Sequence, residues 1–322
     1  MKNILIPLFA AVFAGCATCH DWKNGDPADP VLGNWGLKLG YDNMSAGHMI
    51  ASRGADGKAE ALVLWRWSSP VPMKDVKIEG NRFSFVFPDG NRRVEGSVEG
   101  SALVAKALKK DGSVETTVEG WRNPPICPLA SVRNAKFGEP IDLLKDGMDG
   151  WALMNPKAKN GWSFKDGVLS NTLGLKPDGK WAGGGSNLRS KREDFYDFNL
   201  EYDVRVPKNS NSGVYLRGRY EIQVVDSYGQ KVNEHNMAAY YGRVVPKVAA
   251  EKPAGEWQHV NVTLYRRHLT VVLNGVTIID DVPVTGITGG AVDADEFKPG
   301  FIYLQGDHSD ADYKNMILRP AL

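Results

Sequence analysis

The segment Asn211–Asp226, NSGVYLRGRYEIQVVD, carries polar and aromatic residues where a buried strand would be apolar. Side chains alternate between the two faces of a strand. The segment therefore predicts one face that holds Tyr215, Arg217, Arg219, Glu221 and Gln223. The opposite parity is mostly aliphatic, as the interior of a two-sheet structure requires. The polar face is either a binding site or the solvated side of an outer strand.

A second strand near the C-terminus has the same pattern. In FIYLQGDHSD, Tyr303, Gln305 and Asp307 share one parity, and His308 follows at the strand end. An imidazole titrates near neutral pH, so His308 could transfer protons. The alternative is a loop histidine that is hydrogen-bonded to a neighbour. We expect both strands to contribute to one cleft. A divalent metal near His308, Asp307 or Glu221 is compatible with these ligand types, although spacing alone does not establish one.

The elements that would position these residues are strands. The chain has 35 Gly and 18 Pro, and turn signals such as Pro88-Asp89-Gly90 and Asn274-Gly275 separate alternating runs, as hairpins require. Helical periodicity is nearly absent. The pattern predicts an all-β protein in which a C-terminal two-sheet sandwich or jelly roll follows a smaller N-terminal antiparallel β-domain.

Domain boundaries follow from composition. Residues 1–19 contain an apolar run that is too short to span a bilayer and is typical of a signal peptide. Residues 20–125 form the N-terminal β-domain, residues 126–138 form a linker next to a cluster of three prolines, and residues 139–322 form the sandwich. No later segment is apolar and long enough to cross a membrane.

The leader predicts export, either to the periplasm or as an outer-membrane lipoprotein. The tetrad Phe13–Cys16 resembles a lipobox, in which Cys16 would carry a lipid anchor, although Phe13 departs from the usual leucine. In an oxidising compartment Cys19 and Cys127 could then pair, and the alternative is two unpaired cysteines. The formal net charge of +1 disfavours nucleic acid as a partner.

Four ordered motifs resemble the 3-keto-disaccharide hydrolase family. They are GWSFKDGVLSNT, the long segment from GGSNLRS to EIQVVDS, KPAGEWQHVNVTLYRRHLTVVLNGVTIID, and GFIYLQGDHSDADYKNMILR. The resemblance covers residues 139–322. It implies a concanavalin A-like sandwich whose curved sheet faces a carbohydrate substrate, and cleavage of glycosides already oxidised at sugar C3. The N-terminal block resembles an accessory β-domain that precedes this module.

A carbonyl at sugar C3 would give the polar residues of these two strands a chemical role. It acidifies the hydrogen on C2, so a base can remove that hydrogen and expel the C1 substituent by β-elimination, after which water can add. We assign Glu221 or His308 as the base, and Arg217 as the donor that stabilises the enolate. The expected substrate-binding residues are Tyr215, Gln223, Tyr241, Trp181, Gln305 and Asp307.

The chain lacks dinucleotide-binding and phosphate-binding fingerprints, so it needs a separate sugar 3-oxidoreductase to supply its substrate. Two other functions stay open. One is a non-catalytic carbohydrate-binding protein, because sandwich folds also host lectins. The other is an ordinary glycoside hydrolase, whose retaining form would need two carboxyl groups about 5 Å apart, and the strands show no such signature.

Overall fold

The computed structural model describes residues 25–322. The predicted signal peptide, Cys16 and Cys19 lie outside the described residues, so export, lipidation and the pairing of half-buried Cys127 stay predictions. The prediction of an all-β fold is confirmed. Within the described range the helical elements are two short 3-10 turns, Val132–Asn134 and Gly147–Gly150, and no helix has the length and apolar character needed to cross a membrane.

The N-terminal domain is one antiparallel sheet of nine strands: β1 (Gly33–Leu39), β2 (Ala46–Arg53), β3 (Ala59–Trp65), β4 (Val71–Pro72), β5 (Lys74–Glu79), β6 (Arg82–Val86), β7 (Arg92–Glu99), β8 (Ala102–Lys109) and β9 (Val114–Arg122). The edge strands β4 and β5 are consecutive in the chain, so the sheet curls back on itself. It encloses a core that includes Trp35, Val63 and Phe85. In β8 Leu103, Ala105 and Ala107 are buried and the residues between them are exposed, as expected for a strand with one face in a core.

Thirteen further strands lie between Ile141 and Pro320: β10 (Ile141–Asp142), β11 (Trp151–Leu153), β12 (Trp162–Lys165), β13 (Val168–Asn171), β14 (Leu188–Ser190), β15 (Phe198–Arg205), β16 (Asn211–Leu216), β17 (Tyr220–Val225), β18 (Gln258–Tyr265), β19 (His268–Leu273), β20 (Val276–Pro283), β21 (Tyr303–Leu304) and β22 (Ala311–Pro320). They form an eight-stranded sheet, ordered β12-β13-β22-β15-β18-β19-β20 with β10 beside β22, and a five-stranded sheet, ordered β11-β14-β21-β16-β17.

The two sheets share one apolar core. Val214 and Ile222 of the five-stranded sheet and Leu200 of the eight-stranded sheet are all fully buried members of it. Side chains alternate in direction along β16 and β17. The residues next to Val214 in β16 and next to Ile222 in β17 therefore point to the other face of the five-stranded sheet. We call this face the outer face. It is the face on which the sequence predicted the polar residues.

A buried polar cluster joins the two domains. Glu296 is fully buried, and its carboxylate accepts hydrogen bonds from Asn123 Nδ2 (2.8 Å) and the Tyr220 hydroxyl (2.9 Å). An Arg267 guanidinium nitrogen lies 3.3 Å from the same carboxylate. His48 of β2 also belongs to the cluster, with Nε2 at 4.0 Å from Glu296 Oε1. The two domains are therefore held together by buried polar side chains that satisfy one another's hydrogen-bonding and charge requirements.

Candidate active site

Tyr215 and Glu221 form the centre of the outer face. They are directly opposite each other in the β16–β17 hairpin. The Tyr215 hydroxyl lies 2.8 Å from Glu221 Oε2 and 2.8 Å from the Gly289 carbonyl oxygen. A phenol has one proton, so when Tyr215 donates it to Gly289, a protonated Glu221 can donate to the phenol oxygen.

Burial controls the charge of Glu221. Its side chain is 3% exposed, and this desolvation raises its pKa to about 8, with a smaller upward contribution from the charge of Asp307. The hydrogen bond to Tyr215 acts in the opposite direction. Gly213, on the neighbouring strand, makes room for the carboxyl group, because a Cβ there would clash with Glu221 Oε1. Glu221 is therefore a carboxylic acid that keeps its proton at neutral pH.

Tyr303 extends the centre onto β21. Its ring stacks on that of Tyr215, with centroids 4.1 Å apart and planes 12° from parallel. Asn187 Nδ2 donates to the Tyr303 hydroxyl at 3.1 Å. Burial raises the pKa of both phenols well above the usual value, so both remain neutral donors. Alternation along FIYLQGDHSD predicted Tyr303 on this face, but it gave no signal for Asn187, which precedes the very short strand β14.

Asp307 and His308 follow β21 at one end of the outer face. His308 Nδ1 lies 2.6 Å from Asp307 Oδ1, and this hydrogen bond raises the pKa of the imidazole. The side chain of His308 is about half exposed. The backbone N–H of Gly184 donates to the Asp307 carbonyl oxygen at 2.9 Å, so the glycine-rich loop borders this pair. Because Asp307 contributes to the raised pKa of Glu221, the two acidic residues share one electrostatic environment.

The segment 235–242 forms the opposite border, beside β17. The Tyr241 N–H donates to the Glu221 carbonyl oxygen at 3.1 Å. Burial, with a contribution from the charge of Glu221, raises the pKa of the Tyr241 hydroxyl, whereas a hydrogen bond with Ser69 lowers it. Ser69 belongs to the N-terminal domain, and its Oγ lies 2.8 Å from His235 Nε2. Sequence reasoning missed Ser69 and His235, because no local pattern links residues so far apart in the chain.

Two further predicted residues, Gln223 and Gln305, lie beside this centre, and a third, Trp181, lies farther away. Gln223 is buried, and its Oε1 accepts from the Val224 N–H at 2.8 Å. The Gln305 N–H donates to the Gly213 carbonyl oxygen at 2.9 Å, and its Oε1 is buried without a hydrogen-bond partner within residues 25–322. Trp181 lies beyond the open end of the hairpin, where its indole N–H donates to the Asn209 carbonyl oxygen at 2.8 Å.

The predicted position of Arg217 is wrong. The strand β16 ends at Leu216, and Arg217 has φ +56° in the turn that connects it to β17. Its buried guanidinium donates to the Glu296 carbonyl oxygen and lies 5.4 Å from the ring of Tyr220, a member of the sandwich core. The turn also takes Arg219 away from the outer face, and its guanidinium forms an ion pair with Asp293 instead. Parity along a strand does not continue through a turn, so Arg217 is not beside Glu221.

No group of three or more His, Cys, Asp and Glu side chains suitable for holding a metal ion occurs in the described part of the chain. A cavity of about 930 Å³ opens in the N-terminal domain and is lined by residues such as Lys58, Met73 and Ile78. It includes none of the predicted site residues.

Comparisons with known proteins agree on the C-terminal region. The family model of the 3-keto-alpha-glucoside-1,2-lyase-like domain matches residues 140–319, which is more than half of the chain. The comparison with curated proteins gave no match.

Several solved structures are similar at low identity. A candidate glycosyl hydrolase from Parabacteroides distasonis is 22% identical, with 62% of this chain and 93% of that chain covered and a TM-score of 0.44. Another from the same organism is 23% identical, with 57% and 100% covered and a TM-score of 0.42. A carbohydrate-binding module from Bacillus subtilis is 16% identical, with 53% and 95% covered and a TM-score of 0.34.

Proposed function

Because the chain belongs to the family of 3-keto-alpha-glucoside-1,2-lyase-like domains, a family of carbohydrate-active proteins, we propose that it cleaves 3-keto-glycosides at the outer face by β-elimination. The observation that carries the proposal is Glu221, a buried carboxyl with a pKa of about 8 that contacts Tyr215 and shares its electrostatic environment with the Asp307–His308 pair. Two titratable groups with different environments are the usual basis for separate acid and base roles.

His308 is the base in this proposal. Asp307 binds its Nδ1, which fixes the tautomer and leaves Nε2 to accept a proton. Nε2 takes the hydrogen from C2 of the sugar, and the electron pair moves onto the C3 oxygen as an enolate. The enolate then collapses to the ketone, a C1–C2 double bond forms, and the bond between C1 and the leaving oxygen breaks.

Glu221 is the acid. The leaving oxygen gains negative charge as its bond to C1 breaks, and the proton that Glu221 holds at neutral pH neutralises it. Water can add to the double bond afterwards, so the overall result would equal hydrolysis. The hydroxyl groups of the sugar have partners in Gln223, Gln305 and Tyr241. The substrate has to come from an oxidoreductase that acts on sugar C3.

The test is release of the leaving group from a 3-keto-glucoside and from its unoxidised parent. We expect turnover of the oxidised sugar alone, and a loss of about 100-fold or more in kcat for both Glu221→Gln and His308→Ala. The matched control is His259→Ala, because His259 also pairs with an aspartate, Asp203, at 2.8 Å, but on the eight-stranded sheet. Equal cleavage of the parent would indicate an ordinary glycoside hydrolase, and saturable binding without release would indicate a binding protein.

A further inference from the structure

The segment 66–69 of the N-terminal domain, between β3 and β4, reaches the outer face of the sandwich. A Cβ added to Gly289 would lie 2.5 Å from the Trp67 carbonyl oxygen, so this segment is in direct contact with the loop around Gly289. The Gly289 carbonyl oxygen lies 2.8 Å from the Tyr215 hydroxyl. Segment 66–69 is thus separated from the Tyr215–Glu221 pair by a single residue.

Ser69 anchors the other end of this segment. Its Oγ lies 2.8 Å from His235 Nε2, it hydrogen-bonds with Tyr241, and a Cβ on Gly242 would lie 2.6 Å from it. Segment 66–69 therefore lies against two parts of the sandwich that border the candidate site: the loop around Gly289 and the segment 235–242.

Trp67 is the aromatic residue of this segment, and it remains available to a ligand. It is 56% exposed, whereas Trp65, two residues earlier, is 7% exposed in the core of the N-terminal domain. The Arg66 guanidinium carbon lies 3.8 Å from the Trp67 ring centroid and 4.1 Å from that of Tyr41. Arg66 is itself held by the Met44 carbonyl oxygen at 3.2 Å. These contacts hold an exposed aromatic ring in one orientation.

The geometry points to Trp67 as a second substrate contact, which stacks on the group attached to C1 of the 3-keto sugar, either a second sugar or an aromatic aglycone. This inference rests on the proposed function. The polar side chains of the outer face suit the hydroxyl groups of one sugar ring, whereas an exposed aromatic ring on a segment that borders this face suits the face of a second ring. The N-terminal domain would then select the leaving group, and the sandwich would carry the chemistry.

The experiment compares two substrates that differ only in the leaving group: methyl 3-keto-glucoside and a 3-keto-disaccharide. We expect Trp67→Ala to lower the ratio of kcat/KM for the disaccharide over the methyl glycoside by about tenfold, mainly through KM. Trp67→Phe should retain most of the ratio. Trp257→Ala is the matched control, because Trp257 also lies under a cation, with Arg205 Cζ at 4.8 Å from its ring, but beside the eight-stranded sheet.

The outcomes separate the inference from the proposed function. If Trp67→Ala leaves the ratio unchanged, or if Trp257→Ala lowers it equally, the inference is overturned while the activity stands. If the wild type cleaves neither substrate, the proposed function fails, and calorimetric titration with the disaccharide decides the inference. If Trp67→Ala, but not Trp257→Ala, binds the disaccharide with a tenfold larger Kd than the wild type, the inference is supported. Equal affinity, or no binding to the wild type, would overturn it.

Discussion

A buried carboxyl that keeps its proton at neutral pH makes the fold sensitive to alkali. Glu221 has a pKa of about 8 in the folded protein and an ordinary value of 4.5. Between these two values the unfolded chain has lost the proton and the folded chain still holds it. Folding then takes up a proton, so this residue makes stability fall as pH rises from 4.5 to about 8.

Glu221→Gln should remove this dependence, because glutamine has a similar shape and no charge to bury. We expect the variant and the wild type to be similarly stable at pH 5, and the variant to be more stable at pH 9 by about 3 to 5 kcal/mol. Urea unfolding at the two pH values measures the difference. If the two proteins lose stability in parallel, Glu221 does not titrate as the structure indicates.

Gly213 is a position where one methyl group should disturb the site. A Cβ at this residue would occupy the place of Glu221 Oε1, so Gly213→Ala should displace the carboxyl group. We expect kcat to fall by about 100-fold, since small displacements of a reacting group have effects of this size. The control is Gly150→Ala, because a Cβ there would meet its nearest neighbour at 3.6 Å. Retention of kcat in Gly213→Ala would contradict the position assigned to Glu221.

Local patterns in the sequence identified the strands that carry the site. Alternation in β16 and β17 placed Tyr215, Glu221 and Gln223 on one face, because the alternating direction of side chains is a property of the extended backbone itself. The same reasoning failed for Arg217, because the chain reverses direction after Leu216 within three residues. Alternation along a strand does not continue through such a turn. The sequence LRGRY has a single glycine there, and the positive φ of both Arg217 and Gly218 makes the turn.

Arg217→Ala tests this correction. The change removes a donor to the Glu296 carbonyl oxygen and a cation that lies 4.6 Å from the Tyr196 ring, so we expect a stability loss of about 1 to 3 kcal/mol. The turnover rate of the folded enzyme should stay within about twofold of the wild type. Thermal unfolding and kcat, measured on the same preparation, check both parts. A large fall in kcat with unchanged stability would show that Arg217 belongs to the site.

For the whole molecule, the important contacts join residues that are far apart in sequence. The sequence predicted two β-domains but offered no means of orienting them, since pairing of Ser69 with His235 or of Asn123 with Glu296 depends on tertiary packing. Such contacts bring the N-terminal domain to the border of the site. The residues missed by sequence reasoning, Asn187 apart, belong to this class.

Glu296→Ala should uncouple the domains. The substitution removes the acceptor of Asn123 and Tyr220 and leaves Arg267 as a buried charge without its counterion. We expect the free energy of unfolding to fall by about 3 to 5 kcal/mol, and calorimetry to show two transitions in place of one. The exposed Glu256 provides the control, as Glu256→Ala should leave the transition unchanged. A single transition at the wild-type temperature in Glu296→Ala would mean that the buried cluster does not hold the domains together.

If cleavage begins with removal of the hydrogen on C2, isotopic substitution at that carbon should change the rate. Two 3-keto-glucosides, one with hydrogen and one with deuterium at C2, would compete for the enzyme. We expect the protiated substrate to be consumed faster and His308→Ala to suppress cleavage of both. Equal consumption of the two substrates, together with cleavage of the unoxidised parent glucoside, would show that removal of this hydrogen does not begin the reaction.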